Sequence, residues 1–178
     1  GVMQWRLILE EYNPELIYIQ GSNNVAADAL SRLNIVDAPN PVENNIKSIK
    51  CPKKLNSGSI DEFLVIFLVA AKAKGISYFN DLAELNQKES PRLVWAQKIL
   101  NKMGVKNITT ENSIKIFGNP DLKINRKIII KDYLKDHRVF MTSVIAALSF
   151  GGNWQIHDKN SIKTSFPDFL KIIKDLRK

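Results

Sequence analysis

After a polar opening at Ser59, Asp61 and Glu62, the chain turns apolar without interruption over residues 63–71. Serine followed three positions later by glutamate fits a capping box, in which each side chain satisfies a backbone N–H that the helix leaves open. A helix is therefore expected through Ala73, closed by Gly75. Residues 76–79 read as a short strand. Ser90 and Pro91 read as N-cap and first helical residue, because proline's fixed φ suits a position whose N–H has no helical partner. That helix should run to Met103 and end at Gly104. Residues 105–108 and 113–117 are expected as a strand hairpin and 127–131 as a further strand. Asp136 should cap a helix reaching Ser149, with Gly151 and Gly152 beyond it. Residues 154–157 read as a strand, and a last helix follows Pro167.

From residue 59 the elements run helix, strand, helix, strand, strand, and resume from Lys127 with their parts permuted, a spacing of about 60 residues. This predicts an α/β domain whose sheets are packed by helices. Upstream the pattern weakens. Residues 5–11 are a short helix or buried run, 16–19 a strand, 21–24 a turn and 25–33 a brief helix, too little to fold alone. Residues 34–58 carry Pro39, Pro41, Asn44, Asn45, Pro52, Asn56, Ser57 and Gly58 and read as a linker or edge region.

Composition changes this picture little: 178 residues, 44% hydrophobic and 25% charged, allow one domain with a core. The single cysteine, Cys51, excludes an internal disulfide, no Cys/His spacing suggests a metal, and a reducing compartment is the default. The apolar run is half a membrane span and no leader pattern is visible, so a soluble, cytoplasmic protein without a membrane partner is expected. The net charge is +8, and residues 1–33 hold two arginines against Glu10, Glu11, Glu15 and Asp28, leaving a surplus of about +10 for the rest. Those lysines are dispersed and show no interleaving with aromatics, so no specific nucleic-acid partner is expected. Small anions fit equally well.

Two arginines stand out, Arg92 and Arg138, each at an expected helix start. The first turn already bears the positive end of the dipole and unpaired N–H groups, so a guanidinium there is repelled unless an anion intervenes. Twice in one chain, this points to anion binding.

The segments Ile60-Asp61-Glu62-Phe63 with Val69-Ala70-Ala71, Glu84-Leu85-Asn86-Gln87-Lys88-Glu89-Ser90-Pro91-Arg92, Asp136-His137-Arg138 and Thr164-Ser165-Phe166-Pro167-Asp168-Phe169 follow one another here. In order and spacing they resemble the signatures of the 5-enolpyruvylshikimate-3-phosphate synthase family, from about residue 45 to the end. The resemblance implies a partial enolpyruvate transferase domain built from βαβαββ-type repeats, spanning residues 45–178 after a linker at 34–44. It implies transfer of the enolpyruvyl group of phosphoenolpyruvate to the 5-hydroxyl of shikimate 3-phosphate, with release of phosphate and no cofactor or metal. By match to the family's motifs, Asp61 accepts the hydroxyl proton and Glu89 transfers a proton. Arg92 and Arg138 hold phosphoenolpyruvate, Lys88 contacts substrate anions, and His137 bonds the phosphate or the intermediate. His157 reads as structural.

This chain departs from the pattern twice. Pro91 replaces an acidic residue, and Thr164 stands where many members carry a substrate lysine, leaving Lys163 displaced by one position as the candidate. The family's enzymes close two similar domains on their substrates. The first of these is expected to be missing, so the chain alone should have negligible activity.

Residues 1–33 resemble something else. Trp5-Arg6-Leu7, Glu10-Glu11-Tyr12, Ile17-Tyr18, Gly21 and residues 24–32 are similar to the C-terminal end of a gypsy-type retrotransposon ribonuclease H. In that family Asp28 would be the last metal-holding carboxylate. Its partners are absent, so nuclease function is not expected, and the stretch should be a poorly ordered extension. Two further readings stay open: a retroelement-derived nucleic-acid-binding remnant, and a related nucleotide-sugar enolpyruvyl transferase.

Overall fold

Every second residue of the principal strands turns inward, and that alternation sets which faces the helices cover. The computed structural model describes residues 46–175. By its internal contacts the chain divides into two compact units, residues 1–44 and 45–178. The ribonuclease H resemblance, and the poor order expected with it, lie outside the described residues.

The second unit runs α1 (Phe63–Lys72), β1 (Gly75–Phe79), α2 (Arg92–Met103), β2 (Asn107–Thr109), β3 (Ile114–Gly118), β4 (Lys127–Ile130), α3 (His137–Phe150), β5 (Asn153–Ile156) and α4 (Phe169–Asp175). Short 3-10 turns precede α1, α2 and α4. The first sheet has the order β1-β3-β2 and is antiparallel throughout, with Gly75 opposite Gly118 and Ile108 opposite Lys115. Ser77, Phe79, Ile114 and Ile116 are buried on one face, whereas Tyr78 and Ile108 stand exposed on the other. The second sheet pairs β4 with β5 in parallel, α3 making the crossover that a parallel pair requires.

Residues 46–50 lie along the free edge of β1. The Ser48 N–H donates to the Lys74 carbonyl, the Tyr78 N–H to Ile49, and the Cys51 N–H to Tyr78, in parallel sense. With this edge segment the order becomes βαβαββ, and β4–α3–β5 begins the next round with a strand. The recurrence expected with permuted parts is therefore a plain restart.

Phe63, Phe67 and Phe79 form one aromatic cluster between α1 and β1, with ring centroids 5.0–6.1 Å apart. Helix α1 packs against β3 on one side and against α2 and α3 on the other. Gly118 permits this approach, since a Cβ there would lie 2.0 Å from the Ala73 carbonyl oxygen. The seam among the three helices, lined by Leu64, Phe67, Leu68, Ile99 and Thr142 among others, leaves no room for a water molecule. Among the described residues no helix is long and apolar enough to cross a membrane.

Two helix starts differ from expectation. The capping box does not form: Ser59 ends a 3-10 turn, the Glu62 side chain makes no cap bond, and α1 begins at Phe63. The Glu62 carboxylate instead faces Arg138, with Oε1 3.7 Å from Nη1. That helix stops at Lys72, and Gly75, at φ +107, opens β1 rather than closing α1. Helix α2 begins one residue late, at Arg92, and Ser90 is not its cap. Asn86 Oδ1 accepts from the N–H groups of Leu93 and Val94, at 3.1 and 3.4 Å, from a turn earlier in the chain. At the other end Gly104 takes φ +82 and returns its N–H to the Leu100 and Asn101 carbonyls, as a left-handed cap should.

Candidate active site

Helices α2 and α3 begin side by side, and the two arginines sit in their first turns. Arg92, the first residue of α2, is only 2% exposed. Its Nε donates to Asp136 Oδ2 at 2.9 Å and its Nη1 to Asp61 Oδ1 at 2.8 Å, while Nη2 pairs with the Glu89 carboxylate. The repulsion expected at a helix start is thus resolved inside the protein, by three carboxylates from three separate segments. Burial works against the Arg92 charge, but the hydrogen bond and charge of Asp136, with those of Asp61 and Glu89, outweigh it and raise its pKa further.

Asp136 caps α3 as the sequence predicts, its Oδ1 accepting from the Arg138 N–H at 2.9 Å. It does more than cap. Its Oδ2 also accepts from Ser90 Oγ at 2.8 Å, and the side chain is fully buried. One carboxylate therefore ties the strandless stretch before α2, the Arg92 guanidinium and the start of α3 together.

Arg138, the second residue of α3, keeps its side chain 19% exposed. Its Nη2 lies 3.6 Å from Asp61 Oδ2, and its Nη1 lies 3.4 Å from the Asp61 carbonyl oxygen and 3.7 Å from Glu62 Oε1. Both guanidiniums converge on Asp61, which lies in the turn ahead of α1 rather than in its first helical turn. There it bridges the two guanidiniums. Burial alone would raise the Asp61 pKa; the Arg92 hydrogen bond and the charges of Arg138, Arg92 and Lys88 hold it below the ordinary carboxylate value. Glu62 goes the other way, raised because burial outweighs the Arg138 charge.

The remaining candidates are placed less uniformly. Glu89 joins the cluster through Arg92. Lys88 pairs with Glu84 Oε1 at 2.8 Å, not with Glu89, though its charge reaches Asp61. His137, half-buried at the start of α3, has its pKa lowered by burial and by the Arg138 charge, so it favours the neutral imidazole. Lys163 is exposed at the end of a 3-10 turn, and among the described residues no ion pair or side-chain hydrogen bond ties it to the cluster. His157 is exposed and contributes its backbone, its carbonyl accepting from the buried Tyr133 hydroxyl. Burial and the charge of Asp158 push the Tyr133 pKa up to about 12. No group of three or more His, Cys, Asp or Glu side chains among the described residues is arranged to hold a metal ion.

Asp136 as an arginine partner and Ser90 as its second donor were not readable from sequence. The 44- and 46-residue separations leave no local signal. Pro91 offers no acidic group beside Arg92, and the guanidinium takes its three carboxylate partners from other positions.

The chain matches the family described as EPSP synthase (3-phosphoshikimate 1-carboxyvinyltransferase) over residues 34–173, somewhat earlier than the motifs alone suggest. A 3-phosphoshikimate 1-carboxyvinyltransferase of Ruthia magnifica subsp. Calyptogena magnifica is 37% identical over 131 residues, 74% of this chain and 29% of the relative. One from Zymomonas mobilis subsp. mobilis is 35% identical over 135 residues, 74% of this chain and 30% of its own length. Among solved structures, EPSP synthase from Acinetobacter baumannii superposes with a TM-score of 0.67 at 31% identity, covering 74% of this chain and 30% of that one. The enolpyruvyl transferase NikO from Streptomyces tendae shares the fold at 15% identity and a TM-score of 0.55, covering 84% of this chain and 34% of that one. The chain thus spans about three tenths of the length of the relatives it matches.

Proposed function

Because the chain belongs to the EPSP synthase (3-phosphoshikimate 1-carboxyvinyltransferase) family, we propose that residues 45–178 supply one side of an enolpyruvyl transfer site of the shikimate pathway. The single observation that carries this reading is the convergence of Arg92 and Arg138 on Asp61 at the adjoining starts of two helices. A carboxylate already bridges the guanidiniums, and forked donors suit the carboxylate and phosphate of phosphoenolpyruvate in the same way.

In the proposed reaction the 5-hydroxyl oxygen of shikimate 3-phosphate adds to C2 of phosphoenolpyruvate. Asp61 takes the hydroxyl proton, which its lowered pKa leaves it ionised to accept. A proton is added to the C3 methylene, giving a tetrahedral intermediate. Loss of phosphate from C2 and of a proton from C3 then restores the enol ether, with Glu89 carrying a proton at C3. Arg92, Arg138 and Lys88 hold the anionic groups, and neutral His137 donates to the phosphate. Such fixed charges stabilise the developing anion without reorganising during the reaction. Lys163, on an exposed turn that is not linked to the cluster, takes no step in this scheme.

The groups that bind the rest of shikimate 3-phosphate are assigned to a further domain of the kind the relatives' additional length provides. The reaction is expected in a reducing cytoplasm, which suits the half-buried free Cys51.

Phosphate release from phosphoenolpyruvate and shikimate 3-phosphate tests the proposal. The folded chain is assayed alone and with a separately expressed N-terminal segment of a relative. Release that requires the mixture and disappears in Glu89→Ala is expected. No release and no saturable phosphoenolpyruvate binding in either sample would overturn it.

A further inference from the structure

We propose that Asp136 is the positioning residue of this site: it fixes the Arg92 guanidinium and the start of α3, and through them the spacing of the two arginines. The inference rests on the anion-binding role proposed above for Arg92 and Arg138. Asp136 itself touches no substrate in this scheme.

The three carboxylates around Arg92 are not equivalent. Asp61 and Glu89 engage the terminal Nη atoms, and their side chains are 43% and 54% exposed. Asp136 engages Nε, and its side chain is 0% exposed. An incoming anion can reach the outer edge of the guanidinium and displace Asp61 and Glu89, which have solvent to move into. It cannot displace Asp136, whose Oδ2 is held a second time by Ser90 Oγ at 2.8 Å and whose Oδ1 is held by the Arg138 N–H at 2.9 Å. Arg92 is thereby anchored along one edge and exchangeable along the other. A planar guanidinium anchored at Nε retains little freedom except rotation of its whole side chain, so the direction of its Nη edge is set by Asp136.

The second consequence follows from Oδ1. Because it caps the helix that carries Arg138, the same carboxylate that orients the first arginine also fixes the backbone of the second. The relative position of the two cations is therefore determined by one residue, at the level of tolerance that oriented binding of a small dianion requires.

Asp136→Asn separates this role from simple capping. Asparagine is as good an N-cap as aspartate, so α3 should persist, but the amide removes the charge facing Nε. Two readouts are used on the full chain: phosphoenolpyruvate affinity by calorimetry, and the Arg92 Nε–H resonance in nitrogen-edited NMR. Binding is expected to weaken at least about tenfold, the step that corresponds to roughly 1.4 kcal/mol. The Arg92 Nε–H signal should be protected from exchange in the parent, lost in Asp136→Asn, and retained in Asp61→Asn and Glu89→Gln. Unchanged affinity in folded Asp136→Asn would overturn the proposal, as would an Nε–H signal that depends on Asp61 or Glu89 instead.

If the parent binds no phosphoenolpyruvate, the functional reading fails, yet the NMR comparison still decides whether Asp136 anchors Arg92. Should Asp136→Asn not fold, Ser90→Ala takes its place. It leaves the charge pair intact and removes one holding bond, so faster exchange of the Arg92 Nε–H is expected and an unaltered signal contradicts the anchoring.

Discussion

Arg92→Ala should be one of the most damaging single substitutions in this unit, and the cost should fall on stability before it falls on binding. The guanidinium is 2% exposed and faces Asp136, whose side chain is fully buried. Removing the arginine leaves Asp136 with Ser90 Oγ and the Arg138 N–H as neutral donors, but with no charge against its own. Breaking a buried pair in this way costs about 3–5 kcal/mol, because the surviving ion has lost its compensation without regaining water. The pairs with Asp61 and Glu89 add little, since both carboxylates are about half exposed and re-solvate, at roughly 0–1 kcal/mol each. Against a total stability of about 5–15 kcal/mol, a melting point lowered by roughly 10–20 °C is expected. Urea unfolding measures the loss, with Arg138→Ala as the control. The Arg138 contacts to Asp61 and Glu62 are 3.4–3.7 Å long and partly exposed, so losing these pairs should cost under about 1 kcal/mol. The double variant Arg92→Ala/Asp136→Asn should recover part of the stability, since no unpaired buried charge remains. Arg92→Ala with an unchanged urea midpoint and slope, or no less stable than Arg138→Ala, would refute the reasoning.

Glu89→Gln removes a carboxylate that competes for Arg92 Nη2, so phosphoenolpyruvate should bind several-fold more tightly while turnover in the complemented assay falls; calorimetry and phosphate release check the two halves separately. Two neighbouring carboxylates should give pH dependences of opposite sign. The Asp61 pKa is depressed on folding, so its contribution is present above the unfolded value of roughly 4 and is lost as pH falls through the folded value. The Glu62 pKa is raised, so its contribution is full below the unfolded value of roughly 4.3 and lost as pH rises through the folded value. In urea titrations Asp61→Asn should therefore destabilise at neutral pH and become silent in acid, whereas Glu62→Gln should stabilise slightly at neutral pH and become silent in acid. Asn86→Ala should cost about 1 kcal/mol by loss of the α2 cap, read as a lowered melting point with the cluster's NMR signals unmoved.

What was legible in the sequence was local. Gly104 declares its helix end because an αL cap needs a residue without a Cβ, and Asp136 declares the start of α3 because its oxygen reaches an N–H two residues away. The failures are at places where a distant partner outbid a neighbour. Glu62 has the spacing for a capping box but points at Arg138, 76 positions later in the chain. Ser90 has the position of an N-cap but donates to Asp136, and Asn86 takes over the vacant duty from a turn away. Residues 46–50 look like a breaker-rich connection because their pairing with β1 is parallel and interrupted, reaching the sheet only through isolated bridges.

The two arginines show how an inference from sequence can rest on an incomplete picture. Their placement against the helix dipole does demand an anion, and sequence alone points outward, to a ligand. Folding brings four carboxylates, Asp61, Glu62, Glu89 and Asp136, to the same two helix starts. The demand is therefore met internally before any substrate arrives. A dianionic ligand must then win its place from groups already seated, and the energy it gains is the difference between two sets of pairs rather than the full attraction of bare arginines. That exchange has a chemical use. The carboxylates it releases are the two assigned to proton transfer, Asp61 and Glu89, and each loses a guanidinium as the ligand binds. For Asp61, which the arginines hold below the ordinary carboxylate value, losing that charge makes it a stronger base. Binding the phosphoenolpyruvate would thus raise the basicity of Asp61, and Asp136, which remains on Nε, would keep Arg92 aligned while the exchange takes place.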